Sequence, residues 1–178
     1  MGFFDFLHKE DRPMLDIFQK NMTIVQVKVL LPAFARDLMR AVNRFAIQFY
    51  RNIHSHHSEG FVIVREEVSF LLYFATAQRL RTLYPAHDAD ALMTELQIHM
   101  NKVMSTADDY FSPSLFWQSY DQRITAYAAA AGSKTSRSNM IVVFSASLCM
   151  RLQDWGKLVA FHSQEIAAEA LITLDGKA

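Results

Sequence analysis

The chain has 178 residues, of which 51% are hydrophobic and 20% charged. That is the make-up of a single globular domain with a substantial core, and it excludes a disordered or fibrous chain. Eighteen Lys and Arg balance eighteen Asp and Glu, so the basic excess typical of a nucleic-acid binder is missing and no such partner is expected.

Phe3, Phe4, Phe6 and Leu7 form an apolar tip ahead of the charged run Lys9 to Arg12. With no basic n-region and no long apolar h-region, the start does not read as a signal peptide. Phe6 stands where a myristoylation motif wants Ser or Thr. Residues 1–12 are expected to form a docked or flexible segment, with weak peripheral membrane contact as the other use of the tip. Asp11-Arg12-Pro13 has the form of a helix start.

Between Thr23 and Leu31 the pattern Ile24, Val25, Val27, Val29 suits either a strand or a helix. No partner strand with a hairpin turn is evident, so helix is expected, up to a break or kink at Pro32. From Pro32 to about His54 the helical period is plain. Phe34, Leu38, Val42, Phe45, Phe49 and Ile53 fall on one side, and Arg36, Arg40, Arg44 and Arg51 on the other. His54-Ser-His-His-Ser-Glu-Gly60 closes this helix, with Gly60 able to take a left-handed loop conformation.

Phe61 to Val64 read as a short extended piece. A helix is expected from Arg65 or Glu66 to Tyr84, with Glu66 and Glu67 near its positive end and Arg79 and Arg81 near its negative end. Pro85 stops it. Asp88 or Asp90 can cap a helix through Leu92, Leu96, Met100 and Val103. Ser112-Pro113 pairs a capping residue with proline at the first helical position, and the helix it opens runs through Phe116, Tyr120, Ile124 and Tyr127 to Ala131. A loop from Gly132 to Ser138 precedes a helix from about Asn139 to Trp155. Gly156 separates or bends the join to a last helix ending before Asp175. Only five glycines and four prolines occur, too few for the turns of a β protein. The expected fold is all-α: one domain spanning residues 1–178, an irregular bundle of about six or seven helices.

Cys149 is the single cysteine, so no intrachain disulfide forms. It lies in an apolar helix with no base in reach of sequence argument, which suits a buried thiol. The longest uncharged run, Ser138 to Met150, is too short for a bilayer. A reducing cytoplasm is the expected compartment. The glycine count also leaves no phosphate-cradling loop, dinucleotide fingerprint or nucleophile elbow.

Two groups of side chains suit metal chemistry. His54, His56 and His57, with Glu59, are densely spaced imidazole and carboxylate donors. Glu95 and His99 share one helix face, and His162, Glu165 and Glu169 another; were those helices adjacent, a carboxylate–histidine site would assemble. Helix-end solvation and local His–Glu pairing explain both groups more simply.

The other candidates are surfaces. The stripe Arg36, Arg40, Arg44 can bind an anionic surface through guanidinium forks. Tyr110, Phe111 and Trp117 cannot all share the buried face of Phe116, Tyr120 and Ile124, so an aromatic partner surface is expected near Pro113. Charge is uneven as well: residues 1–57 carry 8 basic and 5 acidic groups, and residues 86–125 carry 2 basic and 6 acidic. With no catalytic constellation present, the expected function is a non-enzymatic interaction protein: an adaptor, regulator or inhibitor of a protein partner, or a homo-oligomer, without a cofactor. The alternative is a metal-binding bundle, as a metalloenzyme, holding a divalent transition metal on the His and Glu residues above.

Overall fold

The computed structural model describes residues 17–19, 21–53, 58–107, 112–132, 136–154 and 156–174, with backbone alone at 58, 59 and 107. Six helices and no strand occur among them: α1 (Ile24–Ile53), α2 (Ser58–Leu83), α3 (Ala86–Ala107), α4 (Pro113–Ala131), α5 (Ser136–Leu152) and α6 (Lys157–Leu174). The expected helix start at Asp11-Arg12-Pro13 and the apolar tip lie outside the described residues.

Five helices surround the sixth. Among the described residues α2 touches all the others, and these close a ring around it in the order α1, α6, α5, α4, α3. A helix enclosed on every side has no use for a polar face. The stretch Glu67 to Phe74 is accordingly buried without interruption. Phe70 and Phe74 are fully or almost fully enclosed, and each such side chain contributes about 1.5–3 kcal/mol of burial. Phe70 packs on Phe116 and Tyr120, and Phe74 stacks on Tyr127.

The ring is tied at its seams by polar contacts. Lys28 pairs with Glu95 at 3.2 Å between α1 and α3. Trp117 Nε1 donates to Asn101 Oδ1 at 2.6 Å between α4 and α3. Gln48 Nε2 donates to Glu169 Oε2 at 2.9 Å between α1 and α6. The Ser145 and Ser163 hydroxyls lie 2.6 Å apart between α5 and α6. Small hydroxyl side chains let those last two helices approach closely while satisfying each other.

Several local expectations change. α1 runs unbroken through Pro32. The proline forfeits one hydrogen bond, to the carbonyl of Lys28, a half-exposed residue that water can serve. The start of α1 is a capping box: Gln26 N donates to Thr23 Oγ1 at 3.3 Å, and Thr23 N donates to Gln26 Oε1 at 2.8 Å. Residues 61–64 are helical, not extended, because α2 already begins at Ser58. β-branched residues there pack on all sides of an enclosed helix, and tertiary burial overrides their strand preference. Glu66 and Glu67 therefore sit more than two turns into the helix, not at its N-terminus.

The glycines also differ from expectation. Gly60 lies inside α2 rather than in a left-handed loop. A Cβ there would strike Tyr50 Oη and come within 3.3 Å of Leu152. Its use is close approach. Gly132 ends α4 at φ −72°, an ordinary right-handed conformation. The left-handed position is Gln153, at φ 54°. Gln153 N donates to Met150 O and Asp154 N to Cys149 O, the paired bonds of a Schellman cap. α3 begins at Ala86, with Pro85 O accepting from Asp88 N and Ala89 N, so Asp88 is inside the first turn rather than capping it. At α4 the Ser112-Pro113 start stands, but Ser112 makes no side-chain cap bond. α5 begins at Ser136, earlier than expected, and Gly156 does separate it from α6.

Candidate interaction surface

The centre of the bundle carries charge. Glu67 is fully buried on α2, and its Oε1 accepts from Arg123 Nε of α4 and Arg151 Nη1 of α5, both at 3.0 Å. Arg151 Nη2 also donates to Glu66 Oε2 at 2.5 Å. One carboxylate thus bridges two ring helices to the central one. Burial disfavours the Arg151 charge, but the hydrogen bond to Glu66 and the charge and hydrogen bond of Glu67 outweigh it and raise its pKa. Glu67 Oε2 and the Tyr127 hydroxyl are buried without a hydrogen bond. Burial, then the Glu67 charge, pushes the Tyr127 hydroxyl well above its usual pKa, against the opposing pull of Arg123. The Glu67 carboxylate is enclosed while both guanidinium groups keep part of their surface in solvent, and the cluster ties α2, α4 and α5 in register.

The sequence-predicted residues distribute as follows. Arg36, Arg40 and Arg44 are exposed on α1, as is Arg51. Arg40 pairs with Asp37 at 3.2 Å, and Arg44 lies over the Phe45 ring at 4.9 Å. Trp117 is half-buried. It packs edge-on against Tyr73, Phe116 and Tyr120 and is tied to Asn101. That makes it part of the aromatic wall between α4 and α2. Ile124, expected in the core, is 36% exposed. Tyr110 and Phe111 lie outside the described residues.

The two helical metal candidates are not brought together. Glu95 and His99 are on α3, His162 and Glu165 on α6, and those helices do not touch among the described residues. The condition for a shared site therefore fails. Glu95 is engaged by Lys28, and with His99 it lines a shallow, open depression along α3. His162 Nδ1 is 2.9 Å from Glu165 Oε2 and 3.4 Å from Asn52 Nδ2. Protonated at Nδ1 it donates to Glu165; otherwise that atom can accept from Asn52. No group of three or more His, Cys, Asp and Glu side chains placed to hold a metal occurs among the described residues. His54, His56 and His57 lie outside them. Cys149 is buried, and burial raises its pKa, so the thiol is held in its unreactive protonated form.

The unexpected feature is the outer face of α5 and α6. A peripheral helix normally turns apolar residues inward and polar ones outward. α1 does so from Phe34 to Phe49, although its first turns leave Val25 and Val29 70% and 73% exposed, whereas α5 and α6 depart from it along their length. Val142 is 58% exposed, Met150 55%, Leu158 51%, Phe161 61% and Ile172 40%. The two helices form an antiparallel pair, shown by Ser145 against Ser163 and by Arg137 Nη2 donating to Ala168 O. On each helical wheel the exposed residues lie beyond the side facing its partner, so the two outward stripes adjoin. The sequence signals were the uncharged run Ser138 to Met150, read for membrane length alone, and the spread of apolar residues around the whole of α6.

Comparison with protein-family models, with curated proteins and with solved structures gives no match. No helix among the described residues is long and apolar enough to cross a membrane.

Proposed function

We propose that this chain is a non-enzymatic interaction protein that docks a protein partner through the outward face of α5 and α6. One observation carries this: two neighbouring peripheral helices leave five large apolar side chains 40–61% exposed. Large apolar side chains gathered on two adjoining helices suit a surface that another surface covers. Aromatic and Met side chains, here Phe161 and Met150, are the types favoured at the centre of such contacts. The arginines of α1 stand one helix round the ring and supply a cationic margin.

Site-specific photo-crosslinking in native lysate tests the assignment. A benzophenone side chain at Val142 or Phe161 should yield discrete, identifiable protein adducts. The same probe at Thr94 on α3, an equally exposed control on the far side of the ring, should not. Equal adduct yields from all three positions, or none from any, would remove the basis for this surface.

A further inference from the structure

We infer that the occupant of this face is a second copy of the same chain, joined by a two-fold antiparallel contact of α6 on α6. This rests on the α5–α6 face being the docking surface and adds who covers it.

The inference comes from the order of residues along the exposed stripe of α6. Lys157, Phe161 and Glu165 are all exposed and succeed one another at single-turn spacing. The exposed ring is at the middle, with a cation one turn before it and an anion one turn after it. A two-fold axis passing Phe161 sets residue 157 of one copy against residue 165 of the other, and the reverse. Both charges of the α6 stripe are then matched, twice. A parallel arrangement would set lysine against lysine and glutamate against glutamate, so the charges select the antiparallel one. Glu165 has an oxygen available for this, since its contact with His162 uses Oε2.

The relief of the face agrees with that axis. Ser145 Oγ lies 3.4 Å from Ala160 O and 2.6 Å from Ser163 Oγ, which places the exposed Ala146 level with Phe161 across the helix pair. Under that axis the two Phe161 rings meet each other and the small Ala146 side chains meet beside them, which leaves the projecting rings room to lie across the helix pair. The α5 helices meet along Val142, Ala146 and Met150. The face is roughly 27 Å long, from 18 residues of α6, which suits an interface at the smaller end of stable dimers. Assembly is therefore expected in the micromolar range.

Sedimentation velocity of the purified chain, from low micromolar to near-millimolar concentration, reads the outcome. Wild type should pass from monomer to dimer and no further. Lys157→Glu and Glu165→Lys should each weaken the dimer at least tenfold, and the double variant should regain most of the wild-type affinity. Phe161→Asp should be monomeric throughout, with helical circular dichroism unchanged. A wild type that stays monomeric overturns the inference, as does a double variant no tighter than the singles. Crosslinks from positions 142 and 161 to a different protein, with a monomeric wild type, would refute the second copy yet keep the docking face.

Discussion

Removing the charge of Glu67 should destabilise the fold far more than removing that of its neighbour Glu66. Glu67 is fully buried and binds two guanidinium groups through one oxygen. Deleting one partner of a buried ion pair costs about 3–5 kcal/mol, because the other charge is left uncompensated. Here Arg123 and Arg151 each keep 25% of their side-chain surface in solvent, and Arg151 keeps Glu66. Those two offsets bring the expected cost of Glu67→Gln to about 2–3 kcal/mol. That is a large part of a typical total of about 5–15 kcal/mol, and for a chain of this length it lowers the melting temperature by about 4–12 °C. Glu66→Gln, at a side chain 18% exposed that pairs with Arg151, should cost about 1 kcal/mol or less. Urea titration followed by circular dichroism measures both, provided the denaturant slope is unchanged. Glu67→Met should be worse than Glu67→Gln, and adding Arg123→Met should recover part of the loss, since one stranded charge is then gone. A Glu67→Gln midpoint indistinguishable from wild type, or equal losses at positions 66 and 67, would refute the idea of a sealed ionic tie.

Gly60→Ala should destabilise by about 1–3 kcal/mol, because the new Cβ meets Tyr50, whose ring is held edge-on between Phe49 and Phe61. Gly132→Ala is the contrast: at φ −72° and with its nearest neighbours 3.8 Å from the new Cβ, it should stabilise by about 0.4–1 kcal/mol; thermal melts of the pair decide. Gln153→Gly should raise stability by about 0.5–1 kcal/mol by relieving the left-handed conformation at φ 54°, and a loss instead would mean that the Gln side chain matters more than its backbone. Burial lifts the Tyr50 hydroxyl to about 12 and those of Tyr73, Tyr120 and Tyr127 further. The folded state thus holds protons that the unfolded chain releases near pH 10. Stability from these groups is complete below that pH and falls above it, by about 1.4 kcal/mol per pH unit for each of Tyr73, Tyr120 and Tyr127 and by less for the more exposed Tyr50. Of the six tyrosines, these four should ionise together with loss of helical dichroism, and ionisation of more than two tyrosines with the helices intact would contradict this.

How much was legible in the sequence follows the range of the forces involved. The boundaries at Pro113, Gly132, Pro85 and Leu174 were readable because capping and chain-breaking act within one turn. So was the inward face of α1, where Phe34 to Phe49 recur with the helical period. The capping box of Thr23 and Gln26 was equally local and was passed over because strand-like valines masked it. Glu67 was not readable as a buried ion. Its two partners lie 56 and 84 residues away in sequence, and a carboxylate near a helix start has an ordinary explanation in the macrodipole. Trp117 looked exposable because its neighbours claimed the inward face, yet Asn101 of α3 closes over its edge.

The sequence by itself determined that this is a helical bundle, because backbone hydrogen bonding, punctuation and side-chain period are settled between residues a few positions apart. What it left undecided is shown by α2 and α6, both of which carry apolar residues on every side. In α2 that pattern means enclosure by five helices; in α6 it leaves Leu158, Phe161 and Ile172 facing solvent. The burial of a side chain depends on which other helices arrive next to it, and that is decided by packing over the whole chain. Only the tertiary structure distinguishes a core helix from a surface awaiting its partner.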